Sequence, residues 1–286
     1  MDAPTVIQSF FSGSLDNKWK LMHASYTMLS SIYGKLSDIP LTLYCDYDFK
    51  QILEKSHHKD VIELDEFKNP LNYMFIDPML WAWPKFIALD KVPRDTVHID
   101  CDVFLKDSSC VKLFDREGYD VMCQHREKLV FSTVNQSYID SFKSVEHLEF
   151  PYFVKKEPPQ TMPNNGILLI DNKRLWNEYR DLYWNMVDKC KADPVRPVGY
   201  CCPDLIFEQY FLEQLCFRDN IPIKYVFPQE DFKEIFQCAV ENNYQHMCSE
   251  KMDNLAKCIK VIKNKDIIAW ESLKSNFGNE FPEYFE

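Results

Sequence analysis

The chain has 286 residues, 46% of them apolar and 27% charged, which suits one large domain with a real core and argues against disorder or a membrane span. Its formal net charge of −11 argues against a global basic field that would draw in nucleic acid or anionic lipid. Glycine is scarce: with only Gly13, Gly34, Gly118, Gly166, Gly199 and Gly278, neither GxGxxG nor GxxxxGK can be written, so both glycine-rich phosphate cradles are excluded.

Strand-like and helix-like patterns alternate along the chain. Residues 5–10 read as a short buried strand and 14–33 as a helix. Residues 41–45 form a second strand, 49–55 a helix, 61–64 a third strand, and 79–89 a helix carrying Trp81 and Trp83. Residues 96–103 are the fourth strand and 119–124 the fifth. Residues 166–170 are the sixth, leading into an amphipathic helix over 173–189. The pattern weakens between about 126 and 165, where Glu157-Pro158-Pro159 and Met162-Pro163 mark loop. A second proline-rich loop over 194–203 precedes another helix, and 251–286 reads as helical. Such alternation predicts an α/β sheet with crossovers. The expected organisation is one catalytic domain over 1–250 with a C-terminal helical extension, 251–286, packed on it.

The eleven cysteines include no CxxC pair, and several sit in apolar runs such as Leu43-Tyr44-Cys45. Free thiols used as small buried hydrophobes are expected, since a zinc site would want paired spacings. The opening run MDAPTVIQSFFSGSLD has an acid at its second position and no basic n-region, so no signal peptide is expected. A reducing cytoplasm is the expected compartment.

The sharpest local feature is Val97-His98-Ile99-Asp100-Cys101-Asp102-Val103-Phe104. As a continuous strand it places His98, Asp100 and Asp102 on one face and Val97, Ile99, Cys101 and Val103 on the other. Two carboxylates converging at a strand's C-terminal end repel each other unless a cation sits between them. Hard divalent ions such as Mg²⁺ or Mn²⁺ prefer oxygen ligands, and strand C-termini are where open α/β sheets bind ligands. The other reading is a half-buried strand with a solvated polar face.

Four further groups stand out, each with a plain structural alternative. Lys85 is the cation within the apolar run Trp83-Pro84-Lys85-Phe86-Ile87-Ala88-Leu89, where a lysine can simply snorkel to solvent. Asn164-Asn165-Gly166 stand at the mouth of a strand, where amides can make an Asx turn. Pro203 opens a helix in which Asp204 and Glu208 lie one turn apart, an arrangement that dipole complementarity also explains. His246, with Lys251 five positions on, can be a satisfied surface or core residue.

Taken in order from about Val6 to Lys251, these groups resemble metal-dependent GT-A-fold glycosyltransferases. The likeness is greatest to the glycogenin-like, retaining family 8 group and related uncharacterised bacterial and phage proteins. The resemblance implies an α/β GT-A (Rossmann-like) mixed sheet flanked by helices, with a C-terminal helical appendage. It implies transfer of sugar from a nucleoside-diphosphate sugar, a UDP-sugar first among them, with Mn²⁺ or Mg²⁺ as cofactor. On this likeness the Asp100–Asp102 stretch is the DxD motif. Asp102 and His246 ligate the metal, and Asp100 binds the metal or the ribose. Lys85 and Lys251 bind the diphosphate, Asn164, Asn165 and Gly166 contact the donor sugar, and Glu208 and Gln209 lie beside the anomeric carbon.

The chain also departs from the pattern. Ser249 stands where the family prefers glycine, Glu208 where many members have aspartate, and Ser9-Phe10-Phe11-Ser12 replaces the usual nucleotide-gripping turn. The acceptor stays open. Lys251, Lys257, Lys260, Lys263 and Lys265 form either a solvated helix face or a track for a phosphate backbone. A hydroxymethylated base in phage DNA therefore stands beside saccharide, lipid-linked and protein acceptors. Two other classes remain: a catalytically inactive GT-A-like binding module, and a metal-dependent phosphohydrolase or nuclease, whose sites usually gather more carboxylates.

Overall fold

The computed structural model describes residues 5–13, 15–39, 41–54, 61–64, 80–115, 117–128, 133–199, 201–229, 231–247 and 252–286. Its elements begin with β1 (Val6–Phe10), α1 (Asn17–Leu36), β2 (Leu41–Cys45), α2 (Tyr47–Glu54), β3 (Val61–Glu63) and α3 (Trp83–Asp90). They continue with β4 (Val97–Ile99), β5 (Val103–Leu105), β6 (Val121–Lys128), α4 (Thr133–Val145), β7 (Thr161–Ile170) and α5 (Lys173–Ala192). A π-helical turn, Leu205–Tyr210, runs into α6 (Phe211–Arg218). Last come β8 (Ile223–Phe227), α7 (Phe232–Glu241), β9 (Tyr244–His246), α8 (Leu255–Lys265) and α9 (Ile267–Phe277). Among the described residues the protein is mixed α/β, with parallel and antiparallel strands flanked by helices, as the GT-A resemblance implies.

The chain divides into two compact units: Met1–Pro70, Val97–Asp115 and Ala239–Glu286 form the first, Leu71–Thr96 and Arg116–Cys238 the second. In the first unit β3, β2, β1 and β4 lie side by side and parallel, with Val6 opposite both Leu41 and Val97. Parallel strands need crossovers, and α1 and α2 supply two of them. The inward faces of α1, α2, α8 and α9 share one apolar cluster that includes Leu21, Met28, Phe49, Ile259, Trp270 and Leu273. The last two helices thus complete the core of this unit.

Capping explains where two of these helices start. The Asp16 carboxylate accepts the Trp19 N–H at 3.0 Å at the head of α1, and the Asp266 carboxylate accepts the Ile268 and Ala269 N–H groups at the head of α9. Replacing Asp16 by alanine is expected to cost about 1 kcal/mol. A urea midpoint that does not move would show that α1 draws nothing from this cap.

In the second unit β6 pairs antiparallel with β7 and parallel with β8. Phe86 of α3 stacks on Tyr183 of α5 at 3.9 Å between centroids and tilts against Tyr179 at 5.0 Å. These rings lock α3 onto α5, because paired aromatics add directional attraction to their buried area.

Several expectations need correction. The strand expected over 96–103 is broken. β4 ends at Ile99, residues 100–102 turn, with the Val103 N–H donating to the Asp100 carbonyl at 3.0 Å, and β5 begins anew at Val103. The strict alternation of faces therefore does not extend through Asp102. The cause is a change of partner, since β4 pairs with β1 and β5 with β9. The loop expected over 126–165 contains α4 and the first half of β7. There Pro163 sits in register with Arg126 and has no N–H to donate, which disguises the strand. The helix expected from residue 79 starts at Trp83, with Pro84 in its first turn, and Met79 lies outside the described residues. β8, α7 and β9 were not anticipated from sequence.

Among the described residues the cysteines form no disulfide, and Cys45, Cys101, Cys110, Cys123, Cys190, Cys216 and Cys258 are buried. No described helix is long and apolar enough to cross a membrane.

Candidate metal centre and buried ion pair

In the first unit, the turn after β4 and the end of β9 bring Asp100, Asp102 and His246 together. β9 runs antiparallel to β5 with His246 opposite Val103, and the Met247 N–H donates to the Asp102 carbonyl at 3.2 Å. That register sets His246 beside the acids: its Nε2 lies 3.5 Å from Asp102 Oδ1 and 3.9 Å from Asp100 Oδ2. The turn is held from behind, where the Gln8 side chain donates to the Asp100 carbonyl at 3.1 Å and to Ser30 Oγ at 2.9 Å. Ser30 in turn donates to the Val103 carbonyl. His98 remains on β4, with its Nε2 2.9 Å from Ser9 Oγ.

One ligand atom from each of Asp100, Asp102 and His246 lies within 4.8 Å of the other two. Ligands at about 2.0–2.6 Å from a common ion are separated by at most roughly 4–5 Å, so the three fit around one cation. Two carboxylates and an imidazole are ligand types that divalent metal ions accept. This cluster could hold a metal.

The second unit carries a buried ion pair. Lys85 and Glu208 are 3% and 0% exposed, and Lys85 Nζ lies 2.6 Å from Glu208 Oε1. The ammonium also donates to the Asn165 carbonyl at 3.1 Å. Lys85 therefore does not snorkel to solvent. A charge this deep is tolerated because its counter-charge and hydrogen bonds are in place.

The π-helical turn presents Glu208 and Gln209. The Glu208 carbonyl accepts the Tyr179 hydroxyl at 2.6 Å and the Asn165 side-chain amide at 3.3 Å. Such turns recur at functional sites. Burial, then the neighbouring Glu208 charge, pushes the Tyr179 phenol well above its usual range, so it stays a donor. Gln209 and Asn165 are buried, and Gln209 Oε1 and Asn165 Oδ1 meet no hydrogen-bond partner among the described residues.

Asn164 and Asn165 are strand neighbours with different partners. Asn165 meets Lys85 and Glu208, whereas the Asn164 amide donates to Glu127 Oε1 at 2.7 Å and its Oδ1 accepts the Gly166 N–H at 2.9 Å. The second bond is an Asx turn, and it sits where the β6–β7 register shifts between Cys123 and His125. Lys251 and Ser249 lie outside the described residues.

Sequence reasoning missed His125, whose Nε2 is 3.4 Å from Glu127 Oε1, and it singled out Asp204 only as an acid at the start of its own helix, to which its side chain makes no cap bond. Asp204 instead accepts the N–H groups of Trp81 and Ala82, just before α3. No local pattern signals a partner more than a hundred residues away.

The sequence model of a family of unknown function (DUF6734) matches residues 6–286. The matched family is thus not the glycogenin-like family 8. No curated protein matches the chain. Among solved structures the chain is similar to apo mouse xyloside xylosyltransferase 1, at 14% identity over 83% of this chain and 82% of that one, with a TM-score of 0.35.

Proposed function

We propose, on the premise that the chain belongs to the DUF6734 family of unknown function, that it is a metal-dependent glycosyltransferase using a nucleoside-diphosphate sugar. The observation that carries this reading is the meeting of Asp100, Asp102 and His246 around one possible cation position. A divalent ion bound there supplies Lewis-acid charge to the diphosphate of the donor. Asp102 and His246 hold it, and Asp100 shares the ion or takes a ribose hydroxyl. Lys251 adds charge at the phosphates.

Lys85 and Glu208 neutralise each other, so a donor phosphate oxygen that reaches Lys85 competes with Glu208 for the ammonium and can exchange with it. That exchange would release a carboxylate next to Gln209, where the motif order assigns the anomeric carbon. Asn164, Asn165 and Gly166 hold the donor sugar, and the implied outcome is retention. The proposed donor is a UDP-sugar and the proposed acceptor a saccharide; a hydroxymethylated DNA base is the less supported acceptor at this net charge. The closed Lys85–Glu208 pair favours one second reading, a GT-A-like module that binds the nucleotide without turnover.

A thermal-shift panel of UDP, GDP and their sugars, with and without Mn²⁺, tests the proposal. A nucleotide at 100 times its Kd stabilises by roughly 2.7 kcal/mol, or roughly 5–10 °C at this chain length. The expected result is a shift that needs both nucleotide and Mn²⁺ and vanishes with EDTA. No shift with any pair removes the proposal. A shift without sugar transfer to any acceptor or water leaves the binding module.

A further inference from the structure

Asp204 is fully buried at the end of the proline-rich loop, one residue before the π-helical turn. Its Oδ2 accepts the Trp81 and Ala82 N–H groups, the latter at 2.6 Å, and its Oδ1 accepts the Tyr183 hydroxyl at 3.0 Å. Trp81 and Ala82 lead into α3, whose own first turn has no side-chain cap. The free N–H groups at a helix start need an acceptor, and Asp204 supplies it from a segment more than a hundred residues away. The helix it caps carries Lys85, and the turn it precedes carries Glu208.

We propose that Asp204 is a positioning residue, a carboxylate clasp that fastens the start of α3 to the start of the π-helical turn and thereby sets the Lys85–Glu208 pair. The clasp rests, for its catalytic consequence, on the glycosyltransferase reading. Its geometry does not.

The clasp also carries a pH dependence. The groups that face Asp204 are Tyr179 and Tyr183 from α5, Glu208 from the turn and Cys202 from the loop before it, and Glu208 in turn pairs with Lys85 from α3. Burial, and then the Glu208 charge, push Asp204 up to about 7, against the pull of the Ala82, Tyr183 and Trp81 donors. The sign follows from proton counting. Between the unfolded value of 3.8 and about 7, the folded protein holds a proton that the unfolded chain has released. This group's contribution to stability is therefore full below about 4, falls as pH rises to about 7, and is flat above.

Three variants test the clasp. In Asp204→Asn the amide oxygen can accept both N–H groups while the NH₂ faces Tyr183, whose hydroxyl turns to accept. This variant is expected to fold and to lose the titration. Asp204→Ala removes the clasp. Tyr183→Phe removes a donor to the ionised form and is expected to move the titration above 7. Urea stability from pH 5 to 8 reads all three without any ligand, and the Asp204 side-chain carbon resonance reads the titration directly. With the sugar donor that stabilises the protein most, Asp204→Ala is expected to lower kcat at least tenfold with a smaller change in KM, and Asp204→Asn to restore most of that loss.

A wild-type Asp204 resonance that does not titrate between pH 6 and 8, or an Asp204→Ala protein with wild-type stability and kcat, overturns the clasp. If Asp204→Ala does not fold, the asparagine and phenylalanine variants decide by the same titration. If no donor is turned over by the wild type while the titration behaves as stated, the clasp stands and only the glycosyltransferase reading falls.

Discussion

Asp102→Ala is expected to fold, yet to lose Mn²⁺-dependent stabilisation by nucleotide and roughly 10²–10³-fold of its transfer rate, the range seen when a group stabilising developing charge is removed. Asp102 is buried, beside a second carboxylate and an imidazole. Its backbone carbonyl keeps its bond from Met247 whatever the side chain, so the register of β5 and β9 survives the change. Without metal, deleting one of two neighbouring carboxylates removes repulsion. The metal-free melting temperature should therefore hold or rise. The informative measurement pairs melting curves in EDTA and in Mn²⁺ plus nucleotide with a transfer assay. Wild-type activity and an unchanged Mn²⁺ response in the alanine variant would end the metal assignment.

Lys85→Met is expected to destabilise the protein by about 3–5 kcal/mol, because it leaves the Glu208 carboxylate buried without its ammonium. At this length that is a fall in melting temperature on the order of 10 °C. The companion Lys85→Met/Glu208→Gln protein removes both charges and is expected to regain most of the loss. It should not regain donor turnover if the pair acts in transfer. The single variant should also suffer less at pH 5 than at pH 8, since a stranded carboxylate can take up a proton. Melting of the single variant within about 2 °C of wild type would show that Glu208 has another route to compensation.

Different parts of these two sites were legible in the sequence to different degrees. β2 was readable as Leu41–Cys45, and α5 from its first residue, because a buried β-rich pentamer and an amphipathic helix capped by Asn172 are local patterns. Asp100 and Asp102 stood out for the same reason. The turn between them and β5 did not, because a run of strand-forming residues does not record where one partner strand is exchanged for another. Asn164 shows both sides of this limit: its Asx turn was one of two readings open from sequence, but its Glu127 partner was invisible.

By itself the sequence determined the chemistry available: no glycine-rich phosphate loop, paired acids at a strand end, a histidine late in the chain, and a lysine in an apolar run. Tertiary structure alone decided which of these groups meet. It put His246 beside Asp102 through the β5–β9 register, turned Lys85 inward onto Glu208, and gave Asp204 to the helix that carries Lys85. The physical reason is range. Propensity and periodicity are set by neighbours within a few residues, whereas the Lys85–Glu208 bond joins positions 123 residues apart, and only a folded backbone brings such positions together.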